Sequence, residues 1–203
     1  MSTGNTQNVK ITVADPSALG LVGLAMVTLV ASSQKLGITT GVAFVLPWAI
    51  FLGAIAQLIA SIYDFKHNNI LGATTFGAYA LFWFGVGTSW LIKLGVFGPA
   101  LAATADPKQL AFAFIGYLIF SLFLTIGFME TNKVLFSILV LIDILLLCLA
   151  IDTYSANHTA HTIAAWSELI ISLLSFYGSG AVVLNHHFGK VFLPVGKPFG
   201  IFK

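Results

Sequence analysis

"ILVLIDILLL", Ile138 to Leu147, decides the fold. Nine of its ten residues are aliphatic, and the tenth is Asp143. The surrounding run, Lys133 to Asp152, is about 20 residues long, and at about 1.5 Å per residue that length crosses about 30 Å of hydrocarbon. An acid at the centre of such a span costs about 2.5 to 3.5 kcal/mol on insertion scales. Asp143 must therefore turn inward, toward polar company. A dry site favours the neutral acid, and a wet site leaves it ionised. The functional expectation is a proton-binding or pathway residue. The structural one is an acid that hydrogen-bonds a neighbouring helix.

Working outward, five more apolar runs appear, giving spans at about Pro16–Ser33, Val42–Tyr63, Ala73–Leu94, Leu110–Met129, Lys133–Asp152 and Ile163–Leu184. Only 8% of the 203 residues are charged, against about 25% in a soluble domain, so polar groups could not cover a water-exposed surface. The expected fold is an all-α integral membrane protein with six transmembrane helices in one bundle, residues 15–185. A tail precedes it at 1–14 and another follows at 186–203. The first 14 residues do not resemble a signal peptide, because no apolar core follows a charged start. The lone Cys148 cannot form an intrachain disulfide, and a net charge of +2 scattered over nine lysines points away from nucleic acid.

Six spans put both termini on one side. That side carries Lys10, Lys66, Lys133, Lys190, Lys197 and Lys203; the other carries Lys35, Lys93 and Lys108. The lysine bias predicts cytoplasmic termini. No lysine is expected inside the bundle. Two helix starts are readable. Asp15 and Pro16 offer a cap and a first helical residue, and Asp106 and Pro107 repeat the device. Pro47 falls inside span two and predicts a kink. Small residues recur at spacings of three and four in span two (Ala49, Gly53, Ala56, Ala60), which predicts close helix packing.

Few residues could carry chemistry. Glu168 sits near the outer end of span six, where a vestibule or a reach to headgroup level both fit. Gln57 and Tyr79 offer neutral hydrogen bonding at depth. Tyr79, Phe82 and Trp83 share a helical face, an arrangement that serves packing more often than gating. His158 with His161, and His186 with His187, do not make up a zinc ligand set. No metal, cofactor or enzymatic motif is expected.

Three stretches together resemble the acetate uptake transporter family, which includes the bacterial succinate–acetate permeases. They are "DPSALGL" (Asp15 to Leu21), "GAIAQ" with "FGAYALFW" (Gly53 to Gln57 and Phe76 to Trp83), and "LNHHFGKVFLPVG" (Leu184 to Gly196). Asp15 and Ala18 depart from the family's Asn and Pro. The resemblance implies a six-helix protomer assembled as a homo-hexamer in the lipid of the plasma (inner) membrane, with a pathway through each protomer. It implies acetate and related small carboxylates, succinate included, as cargo, moved with a proton. The alternative is a passive anion channel without proton coupling, in which Asp143 is structural. The family's hydrophobic constriction maps onto Leu24, Tyr79 and Ile142. Ser17, Leu19, Gly20, Gln57, Phe82 and Trp83 are expected along the substrate pathway, with Ser17 beginning an anion cradle of free helix N–H groups. Asp143 and Glu168 are the candidates for proton coupling. Bacterial relatives carry a threonine-like position at Asp143 and a glutamate where Val182 stands here.

Overall fold

A computed structural model describes residues 13–202. Most of the expected tail at 1–14, and both Lys10 and Lys203 of the lysine count, lie outside the described residues. Six helices are long and apolar enough to cross a membrane: α1 (Ser17–Lys35), α2 (Leu46–Lys66), α3 (Ile70–Lys93), α4 (Pro107–Phe128), α5 (Lys133–Ser155) and α6 (His158–Phe188). A short helical turn, Pro99–Ala103, lies in the α3–α4 connection.

Local chemistry sets the helix ends. Asp106 Oδ1 accepts from Lys108 N and Pro107 opens α4, as expected. Asp15 Oδ1 accepts from Ser17 N at 2.9 Å, so α1 starts one residue later than the Pro16 start expected. Asn69 Oδ1 accepts from Gly72 N, which starts α3 three residues before the expected Ala73. Asn157 likewise caps α6 through Ala160 N, and α6 ends at Gly189, whose φ of +61° suits a left-handed stop. At 31 residues α6 is about 46 Å long, more than a bilayer core needs.

The expected kink at Pro47 is not found. Residues 42–45 form a turn, so α2 begins at Leu46 and Pro47 sits in its first turn, where the missing N–H has no partner to lose. The irregularity lies just beyond, where Ala49–Ala56 runs as a π-helix. Gln57 Nε2 donates to Gly53 O at 2.8 Å and closes this wide turn from inside.

Each helix packs on its chain neighbours, and α1 closes the ring against α6. Serines zip that closing seam: Ser172 Oγ donates to Ala25 O at 2.7 Å and Ser179 Oγ to Ala18 O at 2.8 Å. On the other flank of α1, Gly23 admits α2 so closely that a Cβ there would lie 2.5 Å from Leu52 O. The α3–α4 seam is thin and is held by Tyr79 Oη donating to Ser121 Oγ at 2.8 Å and Tyr117 Oη to Ala78 O at 3.1 Å. The outward faces carry large apolar side chains such as Phe51, Leu81, Phe112, Phe123 and Leu173, as a lipid solvent requires. Residues 189–202 fold back on the terminus-bearing end. There Asn185 binds Phe192 N, Leu193 N and Leu193 O, and Glu130 Oε1 accepts from Ile201 N and Phe202 N.

Candidate functional site: a throat between helices

Leu24 of α1, Tyr79 of α3 and Ile142 of α5 are all buried and line one narrow cavity of about 100 Å³. That is room for about three waters. Three helices reach this point because the odd-numbered helices all start at the terminus-bearing end and converge inward. Leu24 lies seven residues beyond Ser17, about 10 Å into the bundle. Ser17, Asn69 and Thr131 line the cavity at its mouth, and Gln57 and Thr75 line it further along. A wider cavity of about 560 Å³ adjoins the mouth and shares Ser17, Leu21 and Leu135 with the throat; Asp15, Asn132, Asn185, His186 and His187 line it as well.

The electrostatics of the two zones differ. The first turns of α1, α3 and α5 surround the mouth, and helix N-termini carry partial positive charge that favours anions. Asp15 Oδ1 already occupies Ser17 N, so the expected cradle at Ser17 has its first N–H engaged. Among the described residues no Lys, Asp, Glu or His lines the throat. Its deeper hydroxyls are committed: Tyr79 to Ser121 Oγ, and Thr75 Oγ1 to Leu71 O at 2.7 Å.

The other pathway candidates are dispersed. Leu19 is 40% exposed, on the outer face of α1. Gly20 packs against the ring of Phe76. Trp83 is buried over Gly53, where a Cβ would meet its ring at 2.8 Å. Phe82 joins Tyr79, Phe114 and Tyr117 in an aromatic cluster at the α3–α4 seam. None of these four lines the throat.

Asp143 turns away from the cavity that its neighbour Ile142 lines. Thr125 Oγ1 donates to Asp143 Oδ2 at 2.7 Å across the α4–α5 seam, and the other carboxyl oxygen is buried without a partner among the described residues. Thr125 Oγ1 also lies 3.0 Å from Ser121 O, so its single hydrogen faces two acceptors. Among the described residues no continuous hydrogen-bonded path joins Asp143 to Tyr79, because the link passes through the Ser121 carbonyl rather than its hydroxyl.

Glu168 is not in a vestibule. It is 1% exposed and accepts from Lys35 Nζ at 2.8 Å, between α1 and α6. This also corrects the expectation that no lysine lies inside: the Lys35 side chain is only 15% exposed. A carboxylate sealed at that depth needs a cation, and Lys35 at the end of α1 is long enough to supply it. Beside the pair, His161 Nδ1 meets Asp152 Oδ2 at 2.8 Å and His161 Nε2 meets Lys35 O at 3.0 Å, tying the same ends of α1, α5 and α6 together.

Sequence reasoning missed Asn69, Ser121, Thr125 and the π-helical segment. Asn69 had a signal, an Asn directly before an apolar run. The other three had none.

Comparison with known proteins fits this architecture. A model described as the GPR1/FUN34/yaaH family matches residues 1–197. The succinate-acetate/proton symporter SatP of Escherichia coli (strain K12) is 30% identical over 196 residues, covering 96% of this chain and 98% of that protein. Ammonia transport outward protein 2 of Saccharomyces cerevisiae is 26% identical over 172 residues, covering 83% of this chain and 61% of that protein. The solved structure of the bacterial acetate channel SatP superposes with a TM-score of 0.84 at 29% identity, covering 91% of this chain and all of that one.

Proposed function

Because the chain belongs to the GPR1/FUN34/yaaH family, we propose that it carries acetate and related small carboxylates across a membrane, through the throat at Leu24, Tyr79 and Ile142 and together with a proton. The observation that carries this is the convergence of those three side chains, from three helices, on one narrow cavity whose lining holds no charged group among the described residues. A bare carboxylate leaving water for such a site loses its hydration and meets no cation, a large cost. Cancelling the charge with a proton removes that cost.

The termini and the wider cavity lie on the cytoplasmic side by the lysine bias, the membrane is the plasma membrane by likeness to the family, and six protomers assemble side by side. Residues 15–185 form the transport unit, with the segments on either side as cytoplasmic tails. The test is uptake of labelled acetate into liposomes holding the purified chain, at two pH values and with competitor acids. Uptake above protein-free liposomes, rising as the outside is acidified, is expected. Current recordings separate the two readings: a passive anion channel carries an acetate current whose reversal follows the acetate gradient, whereas transport of one acetate with one proton is electroneutral and carries none. Ammonium flux in place of acetate flux would assign the chain a different cargo.

A further inference from the structure

Among the described residues, Gln57 is the one side chain at the depth of the throat that keeps both a donor and an acceptor free. It is 1% exposed and lines the cavity with Tyr79 and Leu24. Its amide orientation is fixed by chemistry, since Gly53 O can only accept and so faces Nε2. A primary amide has two N–H hydrogens and one oxygen. Gly53 takes one hydrogen. One N–H and the oxygen Oε1 remain, and neither has a partner among the described residues. The π-helical turn of α2 is what brings the Gly53 carbonyl under the side chain and holds the amide in place.

The neighbouring polar atoms tilt the balance further. Tyr79 has given its hydrogen to Ser121 and Thr75 has given its own to Leu71, so both present lone pairs. The throat thus offers acceptors in excess of donors. An ionised carboxylate has only acceptors, and it would find one N–H against several opposing oxygens. A protonated carboxylic acid has an O–H donor beside a C=O acceptor, which match the free oxygen and the free N–H of Gln57.

We propose that the species recognised in the throat is the neutral carboxylic acid, bound by Gln57, so that the proton crosses on the substrate itself. This rests on the transport function proposed above. At the mouth the helix N-termini gather the anion. There the acid takes its proton from water, enters neutral, and releases the proton on the far side; no protein group is changed over the cycle.

The experiment uses proteoliposomes of the full chain and two acids of nearly the same size and different strength, acetate and fluoroacetate. Initial uptake of each is measured at equal total concentration and the same pH, with protein-free liposomes subtracted. The expected result is that fluoroacetate is slower by the ratio of the two acid dissociation constants, and that acetate uptake follows the concentration of undissociated acid as pH changes. Equal rates for the two acids would overturn the proposal while leaving transport intact. No uptake of either acid would overturn transport as well. Gln57→Met keeps the length and removes both polar contacts, and acetate uptake should fall about tenfold. Undiminished uptake in that variant overturns the role of Gln57. If the variant fails to fold, the two-acid comparison on the unaltered protein still decides the neutral-acid claim.

Discussion

Replacing Lys35 by Met leaves the Glu168 carboxylate buried without its cation. The carboxylate is 1% exposed and its only described partner is Lys35 Nζ at 2.8 Å. Removing one member of such a pair costs about 3 to 5 kcal/mol, because the survivor keeps its desolvation penalty without compensation. The reverse change should cost less. In Glu168→Gln the amide oxygen still accepts from Lys35, and the ammonium, 15% exposed, retains some access to polar surroundings. Replacing both, as Lys35→Met with Glu168→Gln, removes the stranded charge and should recover most of the loss. For a chain of about 200 residues each kcal/mol moves the melting temperature by about 2 to 4 °C, so Lys35→Met should melt about 10 °C lower. Thermal unfolding of the four proteins in detergent gives the double-mutant cycle directly. Single effects that simply add, or a Lys35→Met protein as stable as the parent, would refute the claim that the pair holds α1 to α6.

Three further outcomes are expected. Ile142→Ala should widen the throat, cost about 2 to 4 kcal/mol in stability and admit bulkier monocarboxylates, read as stronger competition by branched acids against labelled acetate. Asp143→Asn should keep pH-dependent acetate uptake, since Asp143 lies outside the cavity and no continuous hydrogen-bonded path joins it to Tyr79; pH-independent uptake in that variant would place the proton on Asp143. Succinate must take two protons to become neutral, so its uptake should rise more steeply with acidity than that of acetate, and parallel slopes would contradict passage of the neutral acid.

The fold was legible because it is written in run lengths. Stretches such as Ile138–Leu147 leave the backbone no choice but to satisfy itself within a helix once water is absent, and that logic needs no partner residues. Side-chain destinations were less legible because they depend on rotation about the helix axis. Asp143 and Ile142 are adjacent in sequence and therefore point about 100° apart; one lines the throat and the other meets Thr125. The pairing of Lys35 with Glu168 joins residues 133 positions apart, which no local pattern signals. The π-helical turn is hidden for a different cause. It lies where Trp83 of α3 occupies the space above Gly53, a tertiary contact that no local pattern signals.

The absence of a cation in the throat has a mechanistic consequence of its own. A lysine beside Tyr79 would bind a carboxylate tightly, and whatever stabilises the anion at mid-path deepens a well from which it must escape. Helix N-termini at the mouth attract without trapping, since each carries about half a charge and acts within a single turn. On the mechanism proposed here, neutral acid in the throat is held by hydrogen bonds whose net worth is about 1 kcal/mol apiece, weak enough to leave quickly. On the same mechanism selectivity comes from the width set by Leu24, Tyr79 and Ile142 and from the match to Gln57, and speed from the shallow well. The same physics explains why the strong charge pair of the bundle, Lys35 with Glu168, is sealed between α1 and α6 rather than on the path, where it would compete with the substrate for every proton and every carboxylate.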